Sequence, residues 1–284
     1  MADRFIFTAQ CHDRAGIVAA VASHLFETGF FIEEAAQFGD EQTGRFFMRL
    51  QVRQTKTTVG ASDFEKSFQP VADRFEMDWH CRNLEDRPRM LLMVSKFEHC
   101  LSDLLYRHRT GELHADITAI VSNHETLRHL ADRAELPFHH IPVTKETKPE
   151  AEEKLTKLIA DTGSELIILA RYMQVLSSEM CANYPGQIIN IHHSFLPSFK
   201  GAKPYHRAHD RGVKLIGATA HYVTPDLDEG PIIEQAVERV DHSKSATDLV
   251  GIGKDVEAST LAKAVKLHLA RRVFLNGVRT IVFS

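Results

Sequence analysis

Between Asn190 and Gly230 the chain gathers groups able to act on a carbonyl: Asn190, His192, His193, His206, His209, His221, Asp226 and Asp228. Asn190 and His192 are two residues apart at the end of the apolar run Ile188–Ile191, so on a strand both side chains share one face. An Asn amide and an imidazole can each donate a hydrogen bond to an oxygen that becomes negative during attack on a carbonyl. Asp228 falls in the turn Val-Thr-Pro-Asp-Leu-Asp-Glu-Gly that ends at Gly230. A carboxylate beside an imidazole favours the protonated ring, and it can orient or deprotonate a water. Together these are the parts of an acyl-transfer site. Spacing alone is equally compatible with solvated turn acids and a structural histidine.

Numerous histidines also raise the question of a metal. No pair here has the HExxH spacing, and Cys11, Cys81, Cys100 and Cys181 form no recognised ligand pattern with them, so no metal is expected.

These residues need a scaffold. Apolar runs at Met90–Val94, Ile117–Val121, Phe138–Val143, Leu166–Ala170 and Ile188–Ile191 alternate with helical stretches, which predicts an α/β domain with a mostly parallel sheet and crossover helices. Such sheets bind ligands beyond the carboxyl ends of their strands, where Asn190 and His192 fall. Further strands are expected at Leu215–Val223 and Ile232–Val240, a long helix from about Val256 to Phe274, and a last strand at Thr280–Phe283. Ahead of this domain, Phe5–Ala9 reads as a strand, and Ile17, Val18, Val21, Ala22, Leu25 and Phe26 as one helix face ended by Gly29. Phe30–Phe38 reads as a second strand. In a third, Phe46, Met48, Leu50 and Val52 alternate with Arg45, Arg49, Gln51 and Arg53, which predicts one buried and one wet face. A helix marked by Phe64, Phe68, Val71 and Phe75 despite Pro70, then a strand at Met77–Cys81, complete a βαββαβ, ferredoxin-like order. The polar run 85–89 reads as a linker, which gives domains 1–84 and 90–284.

Composition fits. The chain has 284 residues, 43% hydrophobic and 25% charged, the balance of a globular protein, and its formal net charge of −4 gives no reason to bind nucleic acid. Sparse cysteines suggest a reducing compartment. The N-terminus lacks an apolar signal core, and no run approaches a membrane span, so a cytoplasmic protein without membrane association is expected.

The ordered run Asn190-Ile191-His192, Ser194, Leu196-Pro197-Ser198, Gly201, Tyr205-His206-Arg207-Ala208, Thr219, His221-Tyr222-Val223 and Asp226 through Ile233 resembles the 10-formyltetrahydrofolate-dependent formyltransferases. The resemblance spans about residues 90 to 240. It implies a catalytic triad of Asn190, His192 and Asp228. It also implies a folate-binding surface of Arg171, Tyr172, Met173, Gln174, Val175, Leu176, His221, Thr224, Pro225 and Asp226, with His193, Ser194, Gly201 and His206 behind it. Gln174 stands where the transferases commonly have Arg. The transferases also carry a Gly- and Ser-rich turn whose amides cradle a ribonucleotide phosphate. Here the segment reads Val94-Ser95-Lys96-Phe97-Glu98-His99-Cys100-Leu101, without glycine and with an acid. That departure, with the added N-terminal module, resembles the formyltetrahydrofolate deformylases, in which water replaces the amine acceptor.

The N-terminal segment resembles an ACT domain, marked by His12-Asp13-Arg14-Ala15-Gly16-Ile17-Val18. It implies a small amino-acid effector such as glycine or methionine at Asp13, Arg14, Ala15, Gly16 and Ile17, and a homo-oligomer, dimer or tetramer. Asp13 reads equally as an ordinary helix N-cap and Gly16 as a packing glycine. The expected activity is hydrolysis of 10-formyltetrahydrofolate to tetrahydrofolate and formate, balancing one-carbon folate pools and supplying formate for purine synthesis. Folate is then the substrate and no cofactor is required. The alternatives are transfer of the formyl group to an amine, a metal hydrolase, and a non-catalytic amino-acid sensor.

Overall fold

A computed structural model describes residues 3–55, 61–194 and 204–284, apart from the side chains of residues 61–63 and 204. The chain forms two compact units: Met1–Asp86 with Arg271–Asn276 and Ile281–Ser284, and Arg87–Ala270 with Gly277–Thr280.

The first unit runs β1 (Arg4–His12), α1 (Ile17–Glu27), β2 (Phe30–Asp40), β3 (Arg45–Gln54), α2 (Ala61–Phe75) and β4 (Asp78–Asn83). Its antiparallel sheet has the order β2-β3-β1-β4, the ferredoxin-like arrangement. Ile17, Val21 and Leu25 of α1 and Phe64, Phe68 and Phe75 of α2 pack on Phe7, Met48, Leu50 and Val52 of the sheet. Pro70 lies inside α2 but is exposed, where the missing hydrogen bond is tolerated.

The third strand departs from its expected wet face: Phe47 is 0% and Arg49 2% exposed. The chain's last segment accounts for this. The Phe274 ring meets Phe47 at 5.8 Å, and the Arg272 guanidinium reaches Glu34 at 2.7 Å, which also pairs with Arg49. Asn276 donates to Asp40 at 2.6 Å. Residues 271–276 and 281–284 therefore pack with the first unit, whereas the sequence assigns everything from 90 to 284 to the second.

The second unit runs β5 (Arg89–Val94), α3 (His99–Arg109), β6 (Asp116–Ser122), α4 (Arg128–Arg133), β7 (Phe138–His140), α5 (Lys148–Thr162), β8 (Leu166–Leu169), α6 (Ser178–Asn183), β9 (Ile188–His192), α7 (Pro204–Asp210), β10 (Leu215–Tyr222), β11 (Ile232–Arg239) and α8 (Ala246–Leu269). A short hairpin of β12 (Val273–Asn276) and β13 (Arg279–Val282) follows. The sheet order is β11-β10-β9-β8-β5-β6-β7. From β9 to β7 it is parallel, and β10 and β11 add an antiparallel edge. Met90 to Val94 are all 0% exposed, as a central strand covered on both faces requires. Strands β6 and β7 are added on one side of β5 and β8 and β9 on the other, so the strand order reverses between the parallel neighbours β5 and β8, which opens a crevice at their carboxyl ends.

Helix α8 begins ten residues before its expected start and ends five before its expected end (246 against 256, 269 against 274). Ser245 and Asp248 form a reciprocal capping box at its head, and the chain leaves the helix to enter β12.

Candidate active site

Strand β9 delivers Asn190 and His192, and β10 lies antiparallel beside it with His221 opposite Asn190 and Thr219 opposite His192. Opposed residues share a sheet face, so three functional side chains converge without any loop being needed. His221 is 2% exposed, and its Nδ1 lies 2.9 Å from the Tyr222 carbonyl oxygen. A carbonyl only accepts, so Nδ1 carries the proton and donates. Nε2 is then a lone pair, and it accepts an amide N–H from Asn190 at 3.2 Å. This fixes which way the Asn190 amide faces and leaves its second N–H for the cleft. Burial pushes the His221 pKa down and keeps the ring neutral.

The loop after β10 folds back on it, with the Tyr222 N–H bonded to the Pro231 carbonyl at 2.9 Å. A Cβ at Gly230 would collide with the Tyr222 carbonyl, so only glycine allows this approach. The loop presents Asp228 in a left-handed conformation, φ 59°. Asp228 Oδ1 lies 3.2 Å from His192 Nδ1 and 3.8 Å from His221 Nε2. The hydrogen bond to His192 holds the Asp228 carboxyl below its ordinary pKa against the opposing effect of burial, so it stays ionised. His193 stacks on His192 with ring centroids 4.8 Å apart. Burial, then the charges of Arg171 and His192, push its pKa down to about 4, so it is neutral at pH 7.

These groups line a cleft of ≈ 270 Å³. Every residue assigned by sequence to the triad and the folate surface borders it: Asn190, His192 and Asp228, the segment 171–176, His221, and Thr224 to Asp226. His193 borders it as well. Its apolar lining also includes Leu169, Ile191, Val223 and Leu227, which lie within or beside the motif segments, and Cys181, which the sequence did not tie to the site. Cys181 lies on α6, where nothing local marks it. The segment 171–176 is fastened to the end of β5: the Met173 N–H bonds Ser95 Oγ at 3.0 Å, and that hydroxyl donates to Asn123 at 2.7 Å. The remaining expectations behind the site do not converge there. Ser194 does not line the cleft, and its carbonyl accepts from Thr219 at 3.0 Å. His206 is exposed on α7, and Gly201 lies outside the described residues.

One compact His/Cys/acid group occurs among the described residues, His99, Cys100 and Glu257. Its carboxylate already carries His99, Arg171 and Tyr205, and the adjacent guanidinium repels a cation. In the first unit, Asp13 caps no helix, because α1 is capped by Gly16 at φ 94°. The Asp13 N–H is bonded to the Gly44 carbonyl at 2.8 Å, and Arg14 pairs with Glu76 at 3.5 Å.

A family model described as formyl transferase matches residues 88–265. A formyltetrahydrofolate deformylase of Corynebacterium sp. (strain P-1) is 48% identical over 98% of this chain and 98% of its own length. The chain belongs to the formyltetrahydrofolate deformylase family. The crystal structure of such a deformylase from Burkholderia mallei ATCC 23344 superposes with a TM-score of 0.95 at 52% identity, covering 99% of this chain and 100% of that one. Glycinamide ribonucleotide transformylase 1 from Symbiobacterium toebii is more distant, with a TM-score of 0.64 at 28% identity over 70% of this chain and 95% of that one. The deformylase likeness thus includes the N-terminal unit, and both recognitions made from sequence, the formyltransferase fold and its deformylase branch, agree with these relatives.

Proposed function

We propose that this chain hydrolyses 10-formyltetrahydrofolate to tetrahydrofolate and formate, with Asn190, His192 and Asp228 as its catalytic residues. The observation that carries this is their convergence at one cleft, with His192 held at 3.2 Å on an ionised Asp228.

The folate docks along 171–176 and 224–226 with its formyl oxygen toward Asn190 and His192. His192 turns Nδ1 to Asp228, so Nε2 faces the substrate. Asp228 Oδ1 is engaged by His192, which leaves Oδ2 to orient a water and help take its proton. Attack on the formyl carbon gives a tetrahedral oxyanion, which the free Asn190 N–H and protonated His192 stabilise. Collapse breaks the C–N10 bond as N10 gains a proton. Neutral His193 cannot be a cationic donor at pH 7, so that proton comes from His192 or from water.

Water is favoured over an amine because the segment after β5 is spent on internal contacts. Ser95 holds Asn123 and Met173, Phe97 lies under the Arg171 guanidinium at 5.3 Å, and His99 holds Glu257 at 2.8 Å. Hydrolysis in ¹⁸O-water is the test. One labelled oxygen per formate is expected, and unlabelled formate would overturn attack by water.

The N-terminal unit binds a small amino acid at Asp13–Ile17 and drives self-association through exposed Phe26 (81%) and Phe31 (54%). Four free cysteines support a reducing, cytoplasmic setting. Among the described residues no helix is long and apolar enough to cross a membrane.

A further inference from the structure

Glu257 lies on α8 in the second unit, 1% exposed, and takes no part in the hydrolysis chemistry. A buried carboxylate is unfavourable unless it is paired, and this one has three partners from three other segments. His99 Nε2 lies 2.8 Å and Arg171 Nε 3.2 Å from Oε2, and the Tyr205 hydroxyl donates to Oε1 at 2.6 Å. Burial alone would push the Glu257 pKa up, but these partners outweigh it and hold it below the ordinary glutamate value, so the group stays charged. Helix α8 is shaped for the cluster. Gly253, one turn before Glu257, leaves the space that the Tyr205 ring fills, where a Cβ would collide with it.

Arg171 links this cluster to the cleft. It begins the wall 171–176, its backbone is left-handed at φ 65°, and its guanidinium lies over the Phe97 ring at 5.3 Å. A non-glycine residue persists in that conformation only where its surroundings over-determine it. Its guanidinium meets the Glu257 carboxylate as an ion pair and the Phe97 ring as a cation–π contact.

We propose that Glu257 is a positioning residue for the cleft: its carboxylate anchors Arg171 and thereby sets the wall against which the folate binds. The proposal rests on the folate reading above. It acts on binding rather than on chemistry, because Glu257 contacts none of Asn190, His192 or Asp228.

Titration of the full-length protein with tetrahydrofolate, alongside steady-state kinetics, tests this with Glu257→Gln, Arg171→Met and the double variant. The amide keeps the shape and removes the charge. Glu257→Gln is expected to raise the tetrahydrofolate Kd and the KM by about tenfold with kcat within about threefold, the pattern of lost uniform binding. The double variant should bind no more weakly than Arg171→Met, because both changes release the same contact. An unchanged Kd in a folded Glu257→Gln, or losses that multiply in the double variant, would overturn the role. If Glu257→Gln does not fold, His99→Gln and Tyr205→Phe each remove one partner, and an unchanged Kd in both overturns it equally. Failure of the unaltered chain to bind tetrahydrofolate would instead sink the folate reading itself.

Discussion

At the residue scale hydrolysis turns on a carboxylate and two imidazoles. Asp228→Asn keeps the size of the side chain but can neither take a proton nor stabilise a protonated His192. It should lower kcat by about 10² to 10³ with folate affinity little changed, measured by formate release and equilibrium binding. The carboxyl of Asp228 is held below its ordinary value chiefly by His192. His192→Ala should therefore move it upward, as followed by the ¹³C shift of the carboxyl carbon; an unmoved titration would mean the contact is not an ion pair. His221 is a different case. Sequence placed it among the groups that touch substrate, but both ring nitrogens are taken by the protein, Nδ1 by Tyr222 and Nε2 by Asn190. His221→Phe should lower kcat by roughly tenfold, the effect of losing one neutral hydrogen bond of about 1.5 kcal/mol that orients Asn190. Full activity in that variant would show that Asn190 needs no such partner.

Elements carry the next layer. Gly253→Ala pits helix propensity, which favours Ala by about 1 kcal/mol, against overpacking, which costs about 1 to 3 kcal/mol. The ring it would strike is tied to Glu257 by its hydroxyl and cannot swing aside, so net destabilisation is expected on urea unfolding. A more stable variant would mean that α7 yields. This same helix shows what was legible in the sequence. The expected start at Val256 lies beyond Gly251 and Gly253, although Ser245 and Asp248, earlier still, spell a capping box. Glu257 was missed because nothing local marks it. Its only trace is its place in a stripe with Leu249, Gly253, Thr260, Leu261 and Ala264, all buried. Strand β7 was overextended for a simpler reason: Pro142 has no N–H to continue an edge ladder. By contrast, the triad and the wall 171–176 were readable because strand ends and a motif place them locally. The buried outer face of β3 was not, since residues 272–276 that cover it are remote in the chain.

For the whole molecule, stability should depend on pH through the buried histidines. The folded pKa of His193 is about 4, below the ordinary value of 6.5, and that of His221 is also lowered. Between those values the unfolded chain binds more protons than the folded one, so stability rises with pH from about 4 to 6.5 and falls on acidification across the same window. His193→Phe should flatten the Tm profile between pH 4.5 and 7, by about 3 kcal/mol at most for a shift of this size. An unaltered slope would mean that this ring is not buried neutral. Self-association is tested by Phe26→Asp with Phe31→Asp, which should lower the mass seen by sedimentation; an unchanged mass would remove those faces from the interface. The most direct measurement is a product assay on the purified full-length chain with 10-formyltetrahydrofolate and no amine present. Formate and tetrahydrofolate are expected in equal amounts. Tetrahydrofolate formed only after an amine such as glycinamide ribonucleotide is added, with the formyl group recovered on that amine, would contradict it.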